Sequence, residues 1–320
     1  MKRDHPTIQW LLESGDPSIR YFALTDLLGK THRSPEVRAA RDQIVHGPRA
    51  RKLLAGQKAD GGFGVHPYQK WTGAHWRLVS LVELGIPAGE PRAVAAADQV
   101  LRWLTGDAHR RRIKRIDGLT RRCASQEGNA LAVCSRLGMA GDPRVKHLAQ
   151  SLLEWQWPDG GWNCDKDPHA RHSSFYESLA PLWGLIEYQR ATGNADAGKA
   201  AGCTAEFFLQ HRLFRSDKSG EVIDAEWLQL HYPLYWHYDV LQGLLILSRM
   251  GPLTDPRLSE ALDAVEAKRL PDGRWKPEGY YWWPPGKRAS NVEVMDWGRH
   301  GPNPMITLNA LRVLSAGGRL

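Results

Sequence analysis

The chain alternates between two kinds of helical pattern, one apolar on most faces and one apolar along a single stripe. SSFYESLAPLWGLIEY (173–188) and YDVLQGLLIL (238–247) are of the first kind, which predicts helices buried on all sides. Segments of the second kind begin at 90, 142 and 255 and should keep one face in solvent. Strand-like alternation is nearly absent. The patterns predict helices over 71–85 with 90–105, 123–138 with 142–156, 173–192 with 195–211, 236–250 with 255–269, and singly over 17–29, 34–46 and 304–315.

Short turns that contain helix-capping residues join the two helices of three of the predicted pairs. LGMAGDPRV (137–145) resembles MGPLTDPRL (250–258), and LGIPAGEPRAV (84–94) is a looser copy. In each, Gly ends one helix in a left-handed cap, Asp or Glu caps the next helix, and Pro occupies its first turn. These turns predict helical hairpins.

A second recurring turn joins Asp-Gly to an aromatic residue. It reads QKADGGF at 57–63, QWPDGGW at 156–162 and RLPDGRW at 269–275, each time after a helical pattern. Three landmarks recur with the same spacing of 113 residues: Gly138 and Gly251, Asp142 and Asp255, Asp159 and Asp272. A shared register at three landmarks indicates an internal repeat.

Alternating buried and amphipathic helices predict an all-α fold. The strongly apolar helices and the two chain ends favour an α/α toroid, with an inner and an outer ring of helices, over an open helical solenoid. We expect one domain over residues 1–320, in which the N-terminal helices within 1–50 close the ring against 304–320.

The Gln-x-x-Asp-Gly-Gly-aromatic stretches resemble the repeats of the terpenoid cyclase and protein prenyltransferase superfamily. Squalene–hopene cyclases carry such stretches as the QW motif, and prenyltransferase β subunits carry a variant. The resemblance extends from about Leu53 to Leu314 and is specific for the fold rather than the reaction. It implies an α/α toroid whose central cavity holds isoprenoid chains. We assign Asp60, Asp159 and Asp272 a structural role in these turns.

Composition indicates the class of protein and its expected location in the cell. With 42% hydrophobic and 24% charged residues the chain is globular, and no apolar run approaches the length of a membrane span. The start of the chain lacks a secretory apolar segment, and four Cys do not form a disulfide framework, so a cytoplasmic location is expected. A net charge of +8 suits an anionic partner.

Cys and His residues concentrate where loops lead into the predicted inner helices, at one mouth of the toroid. Prenyltransferases bind zinc at this mouth through an Asp-x-Cys and a later His. ARHSSFY (170–176) resembles the first neighbourhood with Ala170 and His172 in its positions, and WHYDVLQGL (236–244) resembles the second. Thiolate and imidazole suit Zn²⁺. The predicted zinc ligands are Cys123, Cys164, His172 and His237.

Acid–base and substrate-binding residues are expected at the same mouth. A carboxylate buried in an apolar barrel has a raised pKa and can act as an acid, so Asp239, Glu177 and Glu127 are the catalytic candidates. DKDP (165–168) resembles the acid motif of squalene–hopene cyclases but lacks its last acid, which favours a solvated loop. The substrate-binding candidates are Trp71, His75, Arg121, Arg122, Trp236, Tyr281 and Trp282.

Two further segments have several interpretations. HRRRIKRIDGLTRR (109–122) holds seven Arg or Lys and is a solvated loop, a docking site for a diphosphate or other anionic head group, or, least favoured, a nucleic-acid contact. YYWWPPGKR (280–288) is a lid over the mouth or an interface patch, so a homodimer or a partner subunit is plausible.

The sequence therefore favours an enzyme that acts on an isoprenoid-like or other apolar small molecule in a central cavity. The reaction is either assisted by zinc or uses no cofactor, and three reaction types stay open: cyclisation or elimination, prenyl-type transfer, and hydrolysis. The alternative is a non-catalytic scaffold whose basic mouth binds a protein or nucleic acid.

Overall fold

The computed structural model describes residues 3–320; residues 1–2, part of the predicted domain, lie outside the described residues. The all-α prediction is confirmed, since the strands among residues 3–320 are one short hairpin and two-residue bridges. The helices are α1 (Pro6–Leu12), α2 (Pro17–Phe22), α3 (Pro35–Asp42), α4 (Pro48–Leu54), α5 (Ala74–Glu83), α6 (Pro91–Leu104), α7 (Asp107–Arg110), α8 (Ser125–Arg136), α9 (Pro143–Trp155), α10 (Phe175–Thr192), α11 (Ala195–Gln210), α12 (Val240–Leu247), α13 (Ser259–Glu266) and α14 (Pro304–Ala316). The hairpin pairs β1 (Lys114–Ile116) with β2 (Leu119–Arg121), and a π-helical turn, Ala23–Leu27, continues α2.

The predicted capping turns begin the helices as expected. The side chains of Glu90, Asp142 and Asp255 accept hydrogen bonds from backbone N–H groups in the first turns of the helical segments that follow them. Proline follows each of these residues, where its missing N–H costs nothing. Gly138 adopts φ +82° after α8, the left-handed conformation that glycine tolerates.

The helices divide by burial into two groups. Nearly every residue of α5, α8 and α12 is buried, and so are most residues of α10 and α14; we call these five the inner helices. The outer helices α6, α9, α11 and α13 each bury one face. Consecutive inner helices contact one another along the chain, from α5 to α8, α10, α12 and α14. Closure of this array into a toroid stays a prediction.

The two central inner helices, α8 and α10, touch backbone to backbone. A Cβ on Gly128 would lie 2.3 Å from the backbone nitrogen of Pro181, and one on Gly184 would lie 2.5 Å from the carbonyl oxygen of Gly128. Real Cβ atoms do not approach so closely, so both positions require glycine. This contact fixes the register of α8 against α10.

Side-chain hydrogen bonds hold the first two Asp-Gly-aromatic turns against the next outer helix. Gln156 Nε2 donates to the carbonyl oxygens of Gly160 at 2.9 Å and Ala200 at 3.0 Å. Gln57 Nε2 makes the equivalent bonds to Gly61 and Arg92. Since each glutamine joins its own turn to the helix that packs beside it, these contacts support a structural role for the motif.

The tryptophans of the second and third turns are anchored in the same way. Trp162 Nε1 donates to the Leu152 carbonyl, and Trp275 Nε1 donates to the Val265 carbonyl, in both cases ten residues earlier on an outer helix. The backbone N–H of each Trp donates to a hydroxyl of the next inner helix, Ser178 or Thr307. The tryptophan therefore fastens an outer helix to an inner one.

The N-terminal segment contacts the last inner helix. α14 packs against α2 and the π-helical turn, and Arg312 Nη2 of α14 lies 2.6 Å from Asp26 Oδ2. Residues 17–27 thus lie beside 304–316, and α4 contacts α5 on the other side. Among residues 3–320, none of the helices combines the length and the apolar character that a membrane crossing requires.

The structure differs from the predicted elements in two places that matter for the site. α12 begins at Val240 rather than 236, because Tyr235 adopts φ +55° and Asp239 caps the helix with its side chain. The basic run 109–122, expected as a loop, ends α7 and then forms the β1–β2 hairpin, with Asp117 and Gly118 both at positive φ in the turn.

Gly160→Ala should destabilise the fold more than Gly193→Ala. Both glycines have left-handed φ, +96° and +72°, which costs alanine about 1 kcal/mol. Only at Gly160 does a Cβ also meet backbone, the Cys203 carbonyl oxygen at 2.4 Å. Urea unfolding should show that the free energy of unfolding falls by roughly 3 kcal/mol in Gly160→Ala and roughly 1 kcal/mol in Gly193→Ala. Equal losses would show that the turn does not pack tightly against α11.

Candidate functional site

Three potential metal ligands meet at the N-terminal ends of α8 and α10. Cys123 precedes α8, Cys164 lies in the loop after α9, and Glu177 is in the first turn of α10. One ligand atom from each lies within 4.8 Å of the other two. Cys164 Sγ is 3.6 Å from Glu177 Oε1, and the Ser125 backbone N–H donates to Glu177 Oε2 at 3.0 Å.

Backbone pairing brings the two cysteines together across 41 positions of sequence. Arg121, at the end of β2, forms a parallel bridge with Asn163, and the Arg122 N–H donates to the Asn163 carbonyl at 3.1 Å. Cys123 and Cys164 directly follow these paired residues. The β1–β2 hairpin therefore positions the thiols, a role that its sequence alone does not indicate.

The three groups perturb one another's protonation. The Cys164 thiol donates to Cys123, which lowers the pKa of Cys123 and raises that of Cys164. Burial raises the pKa of Glu177 although the Ser125 N–H stabilises its charged form. The nearby Arg122 guanidinium also favours the Cys123 thiolate. Three acidic groups thus share a site with little positive charge of its own, which favours a cation there.

A buried ion network supports this cluster from α7 and α8. Glu127 Oε1 lies 2.8 Å from His109 Nε2 and 2.8 Å from Arg122 Nη2, and Arg122 also donates to Gln126. Burial alone would raise the pKa of Glu127, but the His109 hydrogen bond and the Arg122 charge outweigh it and hold that pKa below its usual value. Glu127 is therefore a paired, ionised residue rather than a free acid.

A narrow interior cleft begins about one helical turn beyond the cluster along α8 and α10. Asn129 lies one helical turn beyond Ser125 on α8, and Ala180 lies one turn beyond Glu177 on α10. The free space is about 20 Å³, room for about one water molecule. The cleft is lined by Val79, Glu83, Asn129, Tyr176, Leu179, Ala180, Trp183, Leu234, Tyr235, Trp236, His237 and Ile246.

Four polar atoms of the cleft lack hydrogen-bond partners within residues 3–320. They are Glu83 Oε2, Asn129 Nδ2, the Tyr235 hydroxyl and His237 Nδ1. Leaving a buried polar group unpaired costs about 1–3 kcal/mol. Their convergence on one cleft suits a bound molecule or waters that complete these bonds.

Asp239 forms a separate buried pair with His231. Asp239 Oδ2 lies 2.8 Å from His231 Nδ1 and accepts the His231 backbone N–H at 2.9 Å, while Oδ1 caps α12 through the Gln242 N–H. Both side chains are almost wholly buried. The predicted acid is thus engaged by three hydrogen bonds, and its neighbour His231 was not among the predicted site residues.

The structure separates the two predicted histidine ligands from the thiols. His172 lies on an exposed loop, where its Nε2 is 3.4 Å from Lys218 Nζ. His237 stacks on Tyr281, with ring centroids 3.5 Å apart, and burial lowers its pKa to about 3. The ligand set is corrected accordingly, with Glu177 in place of both histidines.

The predicted substrate-binding residues divide into cleft and core. Trp236 lines the cleft, and Tyr281 covers its His237. The other predicted residues make contacts within the folded framework. Trp71 stacks on Tyr235 and donates to the Tyr281 carbonyl, Trp282 donates to the Tyr232 carbonyl, and His75 packs among Tyr68, Trp76 and Trp103. Arg121 lies over the Trp157 ring, and Arg122 is paired with Glu127.

Tyr68 is a neighbour of the cluster that sequence reasoning missed. Burial raises the pKa of its hydroxyl, and the negative charges of Glu177 and Cys123 act in the same direction. The hydroxyl therefore remains a donor at neutral pH. Only its place in the loop before α5, the predicted approach to an inner helix, could have pointed to it.

A scan of protein-family models finds none that matches this chain, and a comparison with curated proteins finds no match either. The site is therefore interpreted from its own geometry.

Glu127→Gln should destabilise the protein by about 3–5 kcal/mol at pH 7, because it leaves the buried Arg122 guanidinium without its carboxylate. The folded-state pKa of Glu127 is lowered, so its stabilisation is complete above the ordinary value of 4.5 and is lost as the pH falls through the folded pKa. The difference in unfolding free energy between wild type and Glu127→Gln, measured by urea unfolding, should therefore shrink between pH 5 and 3. Glu206→Gln, in an exposed pair with Arg257, is the control and should cost less than about 1 kcal/mol. A difference in unfolding free energy that does not change with pH would contradict the pairing of an ionised Glu127 with Arg122.

Proposed function

We propose that the chain is an enzyme that binds zinc through Cys123, Cys164 and Glu177 and acts on a small, largely apolar molecule. The closeness of these three donor atoms, within 4.8 Å of one another at the start of two inner helices, is the main support. Two thiolates and a carboxylate are a donor set that Zn²⁺ accepts, and three protein ligands leave one position open.

The chemistry of the donors fits a divalent cation. The raised pKa values of Cys164 and Glu177 reflect burial and the crowding of acidic groups. A cation replaces these protons and removes the repulsion. Bound zinc keeps a fourth position for substrate or water and polarises the group that occupies it.

The protein's own residues hold this site in place. The Ser125 N–H fixes one oxygen of Glu177, leaving Oε1 directed to Cys164. Arg122, held by Glu127 and Gln126, favours the thiolate of Cys123. Such supporting contacts orient ligands and tune their basicity. The protonated Tyr68 hydroxyl is available to hydrogen-bond a polar group of the substrate.

The interior cleft accommodates the apolar part of the substrate within this proposal. Its walls are mainly aliphatic and aromatic, and its unpaired polar atoms give hydrogen-bonding positions at the inner end. With about 20 Å³ free, an isoprenoid-like chain enters only if side chains such as Trp236 or Tyr176 move. The resemblance to terpenoid cyclases and prenyltransferases supports a lyase-type or prenyl-transfer reaction.

Zinc analysis of protein purified without a tag tests the metal site. We expect about one zinc per chain and a higher Tm with zinc than after chelation. Cys123→Ala, Cys164→Ala and Glu177→Gln should lose the zinc and that increase in Tm. Cys203→Ala, on an exposed outer-helix position, and His172→Ala and His237→Ala should retain both. Wild type that takes up no zinc would refute the site.

A non-catalytic scaffold is the second candidate, supported by the exposed hairpin. Arg110, Arg111, Arg112, Lys114 and Arg115 are all exposed, whereas Arg121 and Arg122 turn inward. A cationic surface of this kind suits an acidic protein or nucleic acid.

Binding to single-stranded DNA distinguishes the two candidates. A scaffold for nucleic acid should bind with a steep salt dependence that flattens when Arg110, Arg112 and Lys114 become Gln. A triple change at exposed Arg38, Arg41 and Arg51 is the charge-matched control. If the two triple variants bind alike, the hairpin has no docking role.

A further inference from the structure

A cavity lies at the C-terminal ends of the inner helices, away from the cysteines. We call it the basal cavity; it has a volume of about 400 Å³. It is closed on one side by the π-helical turn. The lining residues are Phe22, Asp26, Val82, Glu83, Arg136, Leu245, Ser248, Arg249, Arg312, Ser315 and Ala316.

Three arginines from three different inner helices converge on this cavity. Arg136 ends α8, Arg249 follows α12, and Arg312 is in the last turns of α14. Their side chains keep 32%, 19% and 15% of their surface accessible. The guanidinium groups are thus neither fully exposed to solvent nor sealed in the core.

These guanidinium groups have fewer acceptors than they can use. Arg136 and Arg249 share a single oxygen, Glu187 Oε1, at 3.4 and 2.7 Å, and that oxygen also accepts from Trp183. Arg312 pairs with Asp26 through Nη2 and donates to Asn309 Oδ1 through Nη1. The Nε atoms of Arg249 and Arg312 have no acceptor within residues 3–320.

The positive charges of these arginines act against one another. Burial, and next the charge of Arg136, lower the pKa of Arg249 to about 10, despite the opposing charge of Glu187. Helix C-termini carry about half a negative charge each, which offsets part of this positive charge. The guanidinium edges that line the cavity nevertheless have a fixed fork geometry suited to an oxyanion.

Glu83 adds a switchable group to the wall between the basal cavity and the interior cleft, since it lines both. Burial raises the pKa of Glu83 to about 7, although the three arginines act to lower it. When protonated, this carboxyl removes one negative charge from the cavity and becomes a hydrogen-bond donor. Its Oε2 has no partner within the described chain.

We propose that the basal cavity is a second binding site, which takes the oxyanion group of a small molecule, a carboxylate or a tetrahedral oxyanion such as phosphate, between Arg136, Arg249 and Arg312. This site is distinct from the cysteine cluster and does not depend on zinc. An anion accepts from the guanidinium edges that Glu187 and Asp26 leave free.

Calorimetric titration with sodium sulfate and with sodium acetate, at constant ionic strength, tests the site. We expect at least one of the two anions to bind, and Arg136→Gln to weaken that binding by about tenfold or more, since hydrogen bonds to charged groups contribute about 1.5–3 kcal/mol. Arg136 is the chosen position because it is the most accessible of the three.

Arg144→Gln is the matched control. Arg144 starts the outer helix α9, is equally accessible, and pairs with Asp98 and Asp142 instead of lining the basal cavity. The Arg144→Gln variant should bind the anion as tightly as wild type does. Absence of binding by both anions, or equal losses in the two variants, would overturn the proposal.

The pH dependence of sulfate binding gives a second measurement that does not rely on an arginine variant. Sulfate does not titrate near neutrality, and wild type should bind it more tightly at pH 6 than at pH 8 as Glu83 gains its proton. Glu83→Gln should bind at both pH values as tightly as wild type at pH 6.

The titratable neighbours Arg249, Tyr232 and His237 keep their protonation states between pH 6 and 8. The pKa of Arg249 is about 10, that of Tyr232 is raised well above 10, and that of His237 is about 3. Asp26, Arg136 and Arg312 complete the charged surroundings. Sulfate affinity that is flat between pH 6 and 8 in wild type would exclude Glu83 from the site and contradict the proposal.

Discussion

The backbone contact between α8 and α10 at Gly128 and Gly184 determines where the candidate site forms. Because no side chain separates the helices there, the first turn of each is held in a fixed register one turn away from Gly128. That register places the Ser125 N–H against the Glu177 carboxylate. A larger residue at either glycine would separate the helices and take the carboxylate away from the thiols.

Burial on all sides imposes a second constraint on the inner helices. Their polar groups have no solvent face, so each must find a partner or border a cavity. Glu127 and Asp239 pair with His109, Arg122 and His231. Some of the buried polar atoms without a partner in residues 3–320 border the interior cleft or the basal cavity, where a bound molecule can reach their side chains.

Three features therefore follow one another along the inner helices. The cysteine cluster lies at the N-terminal ends of α8 and α10, the interior cleft lies within the array, and the basal cavity lies at the C-terminal ends. Glu83 borders both the cleft and the basal cavity. A ligand bound in the interior cleft or in the basal cavity can thus affect the other space by changing the charge of Glu83.

Local chemistry is the reason that the sequence predicts most helices well. Capping Asp and Glu, first-turn prolines and left-handed glycines act within a few residues, so their effect can be read from the chain. The prediction fails at 236–239, where aromatic stacking between Trp71 and Tyr235 holds an irregular backbone. It also misses the β1–β2 hairpin, which pairs with residues far along the chain at Asn163.

For the site, the sequence by itself determined the residue types and the helix ends at which they stand, and so identified Cys123, Cys164 and Glu177 as candidates. Only the tertiary structure decided which of them meet. The two thiols are joined by the pairing of Arg121 and Asn163, whereas His172 and His237 are held elsewhere by an exposed loop and an aromatic stack. Such contacts depend on helix register and on cross-chain pairing, and neither leaves a local pattern in the sequence.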